Sequence, residues 1–280
     1  LYLKHFGLIE LPFRITPDTS FTCLVQYHQE ALNTLLMALS QGEGFVKICG
    51  EVGTGKTLLC RRLLQALDDS DEDWVTAYLP NPNLDPDTLF LALAEELDIK
   101  DVLGLDQYHL VRGINHALLD YARAKKRVVV CIDEAQAMPL ETLESLRLLS
   151  NLETEKRKLL QIVLFGQPEL DQKLRRPEVR QLQQRIAFHY RLRGLQKSEI
   201  GDYVAHRLRA AGYRGDGLFT AAALRALYRA SGGTPRLINI LAHKSLMSVF
   251  GEGQHTVKVR HVRLARRDTE GAHRIWWGWG

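Results

Sequence analysis

The chain has 280 residues, 45% of them hydrophobic and 25% charged, with a formal net charge of +4. That length supports a substantial core and, at roughly 100–200 residues per domain, points to two units. The mild positive balance argues against a dedicated nucleic-acid binder, which shows clustered basic residues and a domain pI above about 9.

No low-complexity tract interrupts the chain, and Cys23, Cys49, Cys60 and Cys131 show no C-x-x-C spacing. Cys49 and Cys131 lie in apolar runs, where cysteine acts as a small hydrophobe, which fits a reducing compartment. No signal-peptide pattern opens the sequence and no apolar run approaches the ~18–20 residues that span a bilayer. The expectation is a cytoplasmic protein.

In chain order, a segment punctuated by Phe6-Gly7-Leu8 and Pro12-Phe13 precedes a helix expected from about His28 to Ser40. Phe45 to Cys49 reads as a short buried strand. It runs into Gly50-Glu51-Val52-Gly53-Thr54-Gly55-Lys56-Thr57, the pattern G-x-x-x-x-G-K-[ST]. In such a loop glycines let successive backbone N–H groups curl around a β-phosphate, the lysine reaches the β/γ oxygens and the threonine ligates Mg²⁺. Apolar spacing from Leu58 to Leu67 predicts a helix starting at the loop. The bland alternative, a chance glycine loop, would have to coincide with both the strand and the helix. Gly50 through Leu58 are therefore the candidate ATP-binding residues, with Lys56 also catalytic.

Trp74 to Leu79 is a second strand candidate, and Asp85-Pro86 supplies an N-cap and first-turn proline for a helix to about Leu97. Asp106 caps another helix, with an apolar face through Leu110, Ile114, Ala117, Leu118 and Tyr121. Two apolar strands follow, Val128 to Ile132 and Leu159 to Phe165, separated by a helix expected from Pro139 to Thr154; Ala187 to Leu192 is a further candidate. This alternation implies an α/β fold, a parallel sheet with helices on both faces.

Asp133-Glu134 follows the strand Val128 to Ile132, so that strand delivers two carboxylates at its C-terminal end, beside the phosphate loop. Asp133 is the expected Mg²⁺ partner opposite Thr57, and Glu134 the residue that orients the water attacking the γ-phosphate. By itself the pair would also read as an acidic turn after a core strand.

Past about Gly194 helical patterns follow one another, beginning near Ser198, Thr220 and Pro235, with no comparable buried strand. The expected division is residues 1–194 for the N-terminal segment and P-loop core, 195–268 for a small all-helical lid and 269–280 for a tail. Gly232-Gly233-Thr234-Pro235-Arg236 puts Arg236 in the first turn of a lid helix, from which it would sense the γ-phosphate; the alternative is an ordinary loop-to-helix junction with a surface arginine. Arg176, Arg180 and Arg185 precede the last strand candidate, where ring ATPases supply an arginine in trans. Arg185 is favoured, against a set of solvated surface arginines. The basic stretch Val257 to Arg267 reads as a short strand and an amphipathic helix, or as a nucleic-acid patch.

With these residues in place, the sequence resembles AAA+ ATPases of the general-secretion ExeA type, in particular those associated with mannose-sensitive haemagglutinin type IV pili. The segments that carry the likeness are YLKHFGL, PF, GEGFVKICGEVGTGKT, IDEAQAMP, LRLLSNLETE, IVLFGQPEL, HRLRAAGYRG and GGTPRLINILAHKSLM, which reach to about Asp268. The resemblance implies a nucleotide-dependent assembly factor, a homo-oligomer, working at the cytoplasmic face of the inner membrane beside a pilus or secretion machine, with peripheral attachment. It assigns Gln167 the sensor-1 position, where asparagine, serine or threonine is more usual. It also sets the FGL…PF segment and His28 at the adenine side of the pocket, or else in packing against the core. The larger secretion ATPases continue into a membrane span and a peptidoglycan-binding domain, whereas this sequence stops at HRIWWGWG, so direct peptidoglycan binding is not expected. Trp276, Trp277 and Trp279 suit a lipid interface or a partner's groove, or a plain tail. The competing function is a DNA-targeting ATPase of transposition or initiator type, disfavoured because no segment of winged-helix length follows the lid.

Overall fold

The computed structural model of the chain describes residues 2–14, 26–150 and 158–273. Its elements are α1 (Leu3–Phe6), α2 (Gln26–Ser40), β1 (Phe45–Gly50), α3 (Lys56–Asp68), β2 (Trp74–Leu79), α4 (Pro86–Glu96), α5 (Gln107–Arg123), β3 (Arg127–Ile132), α6 (Leu140–Ser150), β4 (Leu160–Gly166), α7 (Pro168–Leu174), α8 (Arg180–Arg185), β5 (Ile186–Leu192), α9 (Ile200–Ala210), α10 (Ala221–Ser231), α11 (Pro235–Gly251) and α12 (Val259–Arg267). All five strands expected in the P-loop core are present. The stretch of the α6 pattern past Ser150 lies outside the described residues.

The chain divides into two compact units, one formed by His28–Val52 and Lys56–Leu192, the other by Leu1–Tyr27, Gly53–Gly55 and Arg193–Gly280. The first is built on a five-stranded sheet in the order β2-β3-β4-β1-β5, with every neighbouring pair parallel. Parallel strands need crossovers, and the helices that make them bury strand faces, which is why β1 and β4 are buried along their whole length and read as unbroken apolar runs. β5 is an edge strand and alternates exposed with half-buried positions instead. Two local signals start helices where expected: the Asp85 carboxylate accepts the Thr88 N–H at 3.0 Å ahead of Pro86, and Asp106 accepts the His109 N–H at 2.9 Å.

The second unit holds α9 to α12. Thr220 caps α10 by accepting the Ala223 N–H at 3.1 Å. The strand expected near Val257 is reduced to a single bridge to Phe219, while α12 buries His261, Val262 and Ala265. The N-terminal segment differs from its expected grouping with the core, because residues Leu1–Tyr27 cluster with the C-terminal helices. The Ile9 N–H donates to the Ala211 carbonyl at 2.8 Å, and buried Arg207 donates to the Pro12 and Arg14 carbonyls at 2.6 and 3.2 Å. Tyr2 meets His243 at 2.8 Å, and Phe13 packs edge-on to Phe219. Each contact joins residues nearly two hundred positions or more apart, a separation that local pattern cannot reveal.

The GGTPR turn owes its shape to close backbone approach. Gly232 ends α10 in the left-handed region, Gly233 follows at φ +80°, and the Gly233 carbonyl accepts the Leu195 N–H at 2.8 Å. A β-carbon on Gly233 would lie 2.2 Å from the Leu195 carbonyl oxygen. Gly233→Ala is therefore expected to destabilise by about 2 kcal/mol or more, combining left-handed strain with a backbone clash. Thermal unfolding should show a midpoint at least roughly 4 °C lower.

Candidate functional site

Gly50 is the last, fully enclosed residue of β1, and the chain leaves the sheet there. Gly53 and Gly55 take φ of +81° and +95°, a conformation that L side chains rarely adopt, so the loop folds back through two glycines, one at a free position of the pattern and one at its second fixed glycine. α3 begins at Lys56, which puts the loop at a helix N-terminus, where backbone N–H groups and the helix dipole favour phosphate. Glu51 and Val52 are exposed, Thr54 is buried and Leu58 half-buried. The Lys56 ammonium is buried and donates to the Gly50 and Glu51 carbonyls at 2.9 and 3.1 Å. Burial lowers its pKa, opposed by the charges of Glu134 and Asp133.

Those carboxylates stand directly past β3, and the Asp133 N–H extends the pairing with β2 by donating to the Leu79 carbonyl at 2.9 Å. Asp133 is 2% exposed, and burial raises its pKa above the usual carboxylate value. A hydrogen bond from the Thr57 side chain and one from the Glu134 N–H, at 2.9 Å, work in the opposite direction. Tyr78, at the end of β2, also bonds the carboxylate; burial first, then the Asp133 charge, pushes its hydroxyl up to about 12. The Thr57 hydroxyl and the Asp133 carboxylate thus lie together as hard oxygen donors, the set that Mg²⁺ prefers.

Glu134 has left-handed backbone, φ 51° and ψ 35°, and opens a 3₁₀ turn over Ala135–Ala137. Its Oε2 accepts from Gln136 Nε2 and, at 3.1 Å, from Gln167 Nε2. Gln167 occupies the N-cap position of α7 directly after β4. Because β4 lies between β3 and β1 in the sheet, Gln167 leaves its strand end between the carboxylates and the phosphate loop. Sequence reasoning missed Tyr78 and Gln136. Gln136 stands in view within IDEAQAMP, but only its neighbours carry a recognised role there.

Arg236 is exposed in the first turn of α11, and its backbone N–H donates to the Gly53 carbonyl at 3.3 Å. Those two residues pack closely, since a β-carbon on Gly53 would come within 2.6 Å of the Arg236 Cβ. Arg185 is half-buried and donates to the Arg147 carbonyl at 3.3 Å, while Arg176 and Arg180 are exposed. Phe6, Leu8 and Phe13 are buried and belong to the unit of the C-terminal helices, which fits a packing role; His28 is buried in α2. The three tail tryptophans lie outside the described residues.

A second polar group sits between β1, β5 and α7. Lys47, buried, pairs with Asp171, and Cys49 Sγ lies 3.4 Å from the same carboxylate oxygen. Ligand atoms of Cys49, Asp171 and His189 lie within 4.8 Å of one another, a set that a metal ion would accept. Here the Lys47 ammonium already supplies the positive charge at Asp171. Burial, then the Asp171 charge, pushes the Cys49 thiol up to about 12, which keeps it protonated.

The family model described as AAA domain matches residues 39–174. General secretion pathway protein A of Aeromonas hydrophila is 43% identical over 274 residues, covering 97% of this chain and 49% of that protein. The chain thus spans about half the length of the curated relative it matches. Among solved structures, the Aeropyrum pernix ORC2 protein aligns with a TM-score of 0.66 at 16% identity, over 92% of this chain and 73% of that one. The Aeropyrum pernix ORC1 protein, solved in complex with DNA, gives 0.62 at 19%, over 92% and 69%. At such identities the likeness is one of fold, and the fold is the AAA+ arrangement of a P-loop core followed by a helical region.

The raised pKa of Asp133 has a consequence for stability. A carboxyl that holds its proton more tightly when folded favours the folded state below the usual carboxylate range, and that advantage is lost as pH rises through the raised value. At neutral pH the buried charge is a cost, which Asp133→Asn removes. Free of nucleotide and metal, this variant should melt roughly 2 °C or more above the parent at pH 7.5. The gap should close as pH falls through the titration of Asp133; a variant that melts lower at pH 7.5 contradicts the assignment.

Proposed function

We propose that this chain, an ATP hydrolase of AAA+ fold, couples ATP binding and hydrolysis to assembly of a type IV, MSHA-like pilus or secretion complex at the inner membrane. The observation that carries the reading is the meeting of Thr57, Asp133 and Glu134 beside a glycine-bent phosphate loop. The 43% identity to a protein named for the general secretion pathway supports the link to secretion. The resemblance to AAA+ ATPases associated with mannose-sensitive haemagglutinin type IV pili supports the pilus.

In this reading the loop Gly50 to Thr57 and Lys56 bind and neutralise the phosphates, with Leu58 closing the loop onto α3. Thr57 and Asp133 hold Mg²⁺, which supplies further charge neutralisation at the phosphate oxygens when bound. Glu134 orients and polarises water, and Gln167 helps to fix it. Arg236 senses the nucleotide from the start of α11, and Arg185, or Arg180 and Arg176 in its place, completes a neighbouring copy's site in a homo-oligomer. Among the described residues no helix is long and apolar enough to cross a membrane; attachment is peripheral and runs through the assembly proteins. A second reading, action on DNA, draws on the basic face of α12, where Arg260, Arg263 and Arg267 are exposed, and on the fold shared with an ORC1 protein solved with DNA.

Lys56→Ala should lose nucleotide affinity, whereas Glu134→Gln should bind ATP and turn it over at least about 100-fold more slowly. Equilibrium binding and phosphate release separate the two; equal turnover by Glu134→Gln and wild type removes Glu134 from its role. Arg185→Ala mixed with Lys56→Ala should recover part of the lost activity, because some interfaces then pair an intact arginine with an intact loop. No recovery at any ratio points to another arginine or to an active monomer. In cells with the pilus machinery the protein should pellet with membranes and be released by high salt or carbonate. Co-purification with DNA and never with membranes would replace the envelope reading by the second.

A further inference from the structure

We propose that Gln136 is a positioning residue for hydrolysis, a single side-chain amide that ties the water-orienting carboxylate of Glu134 to the backbone of Gln167; the inference rests on the ATPase reading above. Gln136 Oε1 accepts the Gln167 backbone N–H at 3.0 Å, and Gln136 Nε2 donates to Glu134 Oε2. A backbone N–H can only donate, so the oxygen end of the amide is fixed at Gln167 and the NH₂ end must face the carboxylate. The Gln167 side chain closes the ring with its own bond to Glu134 Oε2 at 3.1 Å.

Three features make this more than a surface contact. Both amide donors converge on the same oxygen, Oε2, which sets the carboxylate plane and leaves Oε1 as the acceptor for a water. The Glu134 backbone is left-handed, a conformation that costs free energy for a side-chain-bearing residue and persists where its surroundings hold it. Gln136 itself is half-buried, and its Oε1 would be in ordinary contact, at 3.4 Å, with a β-carbon on Gly166, so the amide lies beside the last residue of β4.

The arrangement transmits position. Gln167 occupies the N-cap position of α7, so a shift of α7 relative to β3 acts on Glu134 through Gln136. Binding of the phosphates lies with other residues, and loss of the amide should act on turnover and spare affinity.

Gln136→Glu separates the two bonds. It retains an acceptor for the Gln167 N–H but replaces the donor to Glu134 with a second carboxylate. At pH 8 the maximal rate should fall about 10- to 100-fold with nucleotide affinity changed less than about 3-fold. Part of the rate should return as pH is lowered, because two adjacent carboxylates share a proton and the shared proton restores a donor. A merely structural residue would not produce that pH dependence. Gln136→Met, which keeps the volume and removes both bonds, should lose a similar factor with no recovery at lower pH, and it carries the test if Gln136→Glu fails to fold. A wild-type rate in Gln136→Met, or affinity falling in step with rate, overturns the positioning role while leaving the ATPase reading intact. Wild-type protein with no turnover above that of Lys56→Ala overturns both.

Discussion

A parallel sheet covered on both faces has one place to offer polar atoms to a ligand, the ends of its strands. β1, β3 and β4 are buried nearly throughout and turn polar within one or two residues of leaving the sheet. Strand order then decides which polar residues meet. With β4 between β3 and β1, Asp133, Glu134, Gln167 and the phosphate loop come from three adjacent strand ends. Nothing in the loop sequences themselves requires that proximity; it follows from pairing partners such as Val130 with Ile162 and Ile48 with Phe165.

Placing charge at that edge works against stability. Lys56 and Asp133 are both buried, and for both, burial is the largest influence on the pKa, disfavouring the charged form. Their partners compensate only in part: carbonyls of the loop for Lys56, and Thr57, Tyr78 and a backbone N–H for Asp133. A bound polyphosphate with its cation would complete the compensation, so folding and ligand binding draw on the same charges. The Lys47 and Asp171 pair beneath α7 is of another kind, since its charges answer each other within the protein.

Much of this is legible in the sequence because its signals are local. Glycines, lysine and threonine at fixed spacing, two carboxylates after an apolar strand, and Asp85, Asp106 and Thr220 ahead of helical patterns each act within a few residues. The bond from Gln136 to Gln167 spans 31 positions and depends on two strands lying side by side. Tyr78 is hidden for the same reason, as a strand residue whose hydroxyl meets a carboxylate delivered by the neighbouring strand. The N-terminal segment reads as part of the core because it precedes it; Arg207, which holds Pro12 and Arg14, reads in sequence as one more helix arginine.

That discontinuous unit bears on the order in which the protein takes shape during synthesis. The sheet unit is complete, apart from three loop residues, once Leu192 has been made. In the other unit, the segment at the chain's beginning must wait for α9, α11 and the Phe219 region to be translated. At roughly 5–20 residues per second, that leaves an interval on the order of tens of seconds in which the apolar side chains of Phe6, Leu8 and Phe13 have no final neighbours. A ribosome pausing near residue 200 would lengthen it, and chaperone capture of the nascent chain should concentrate there.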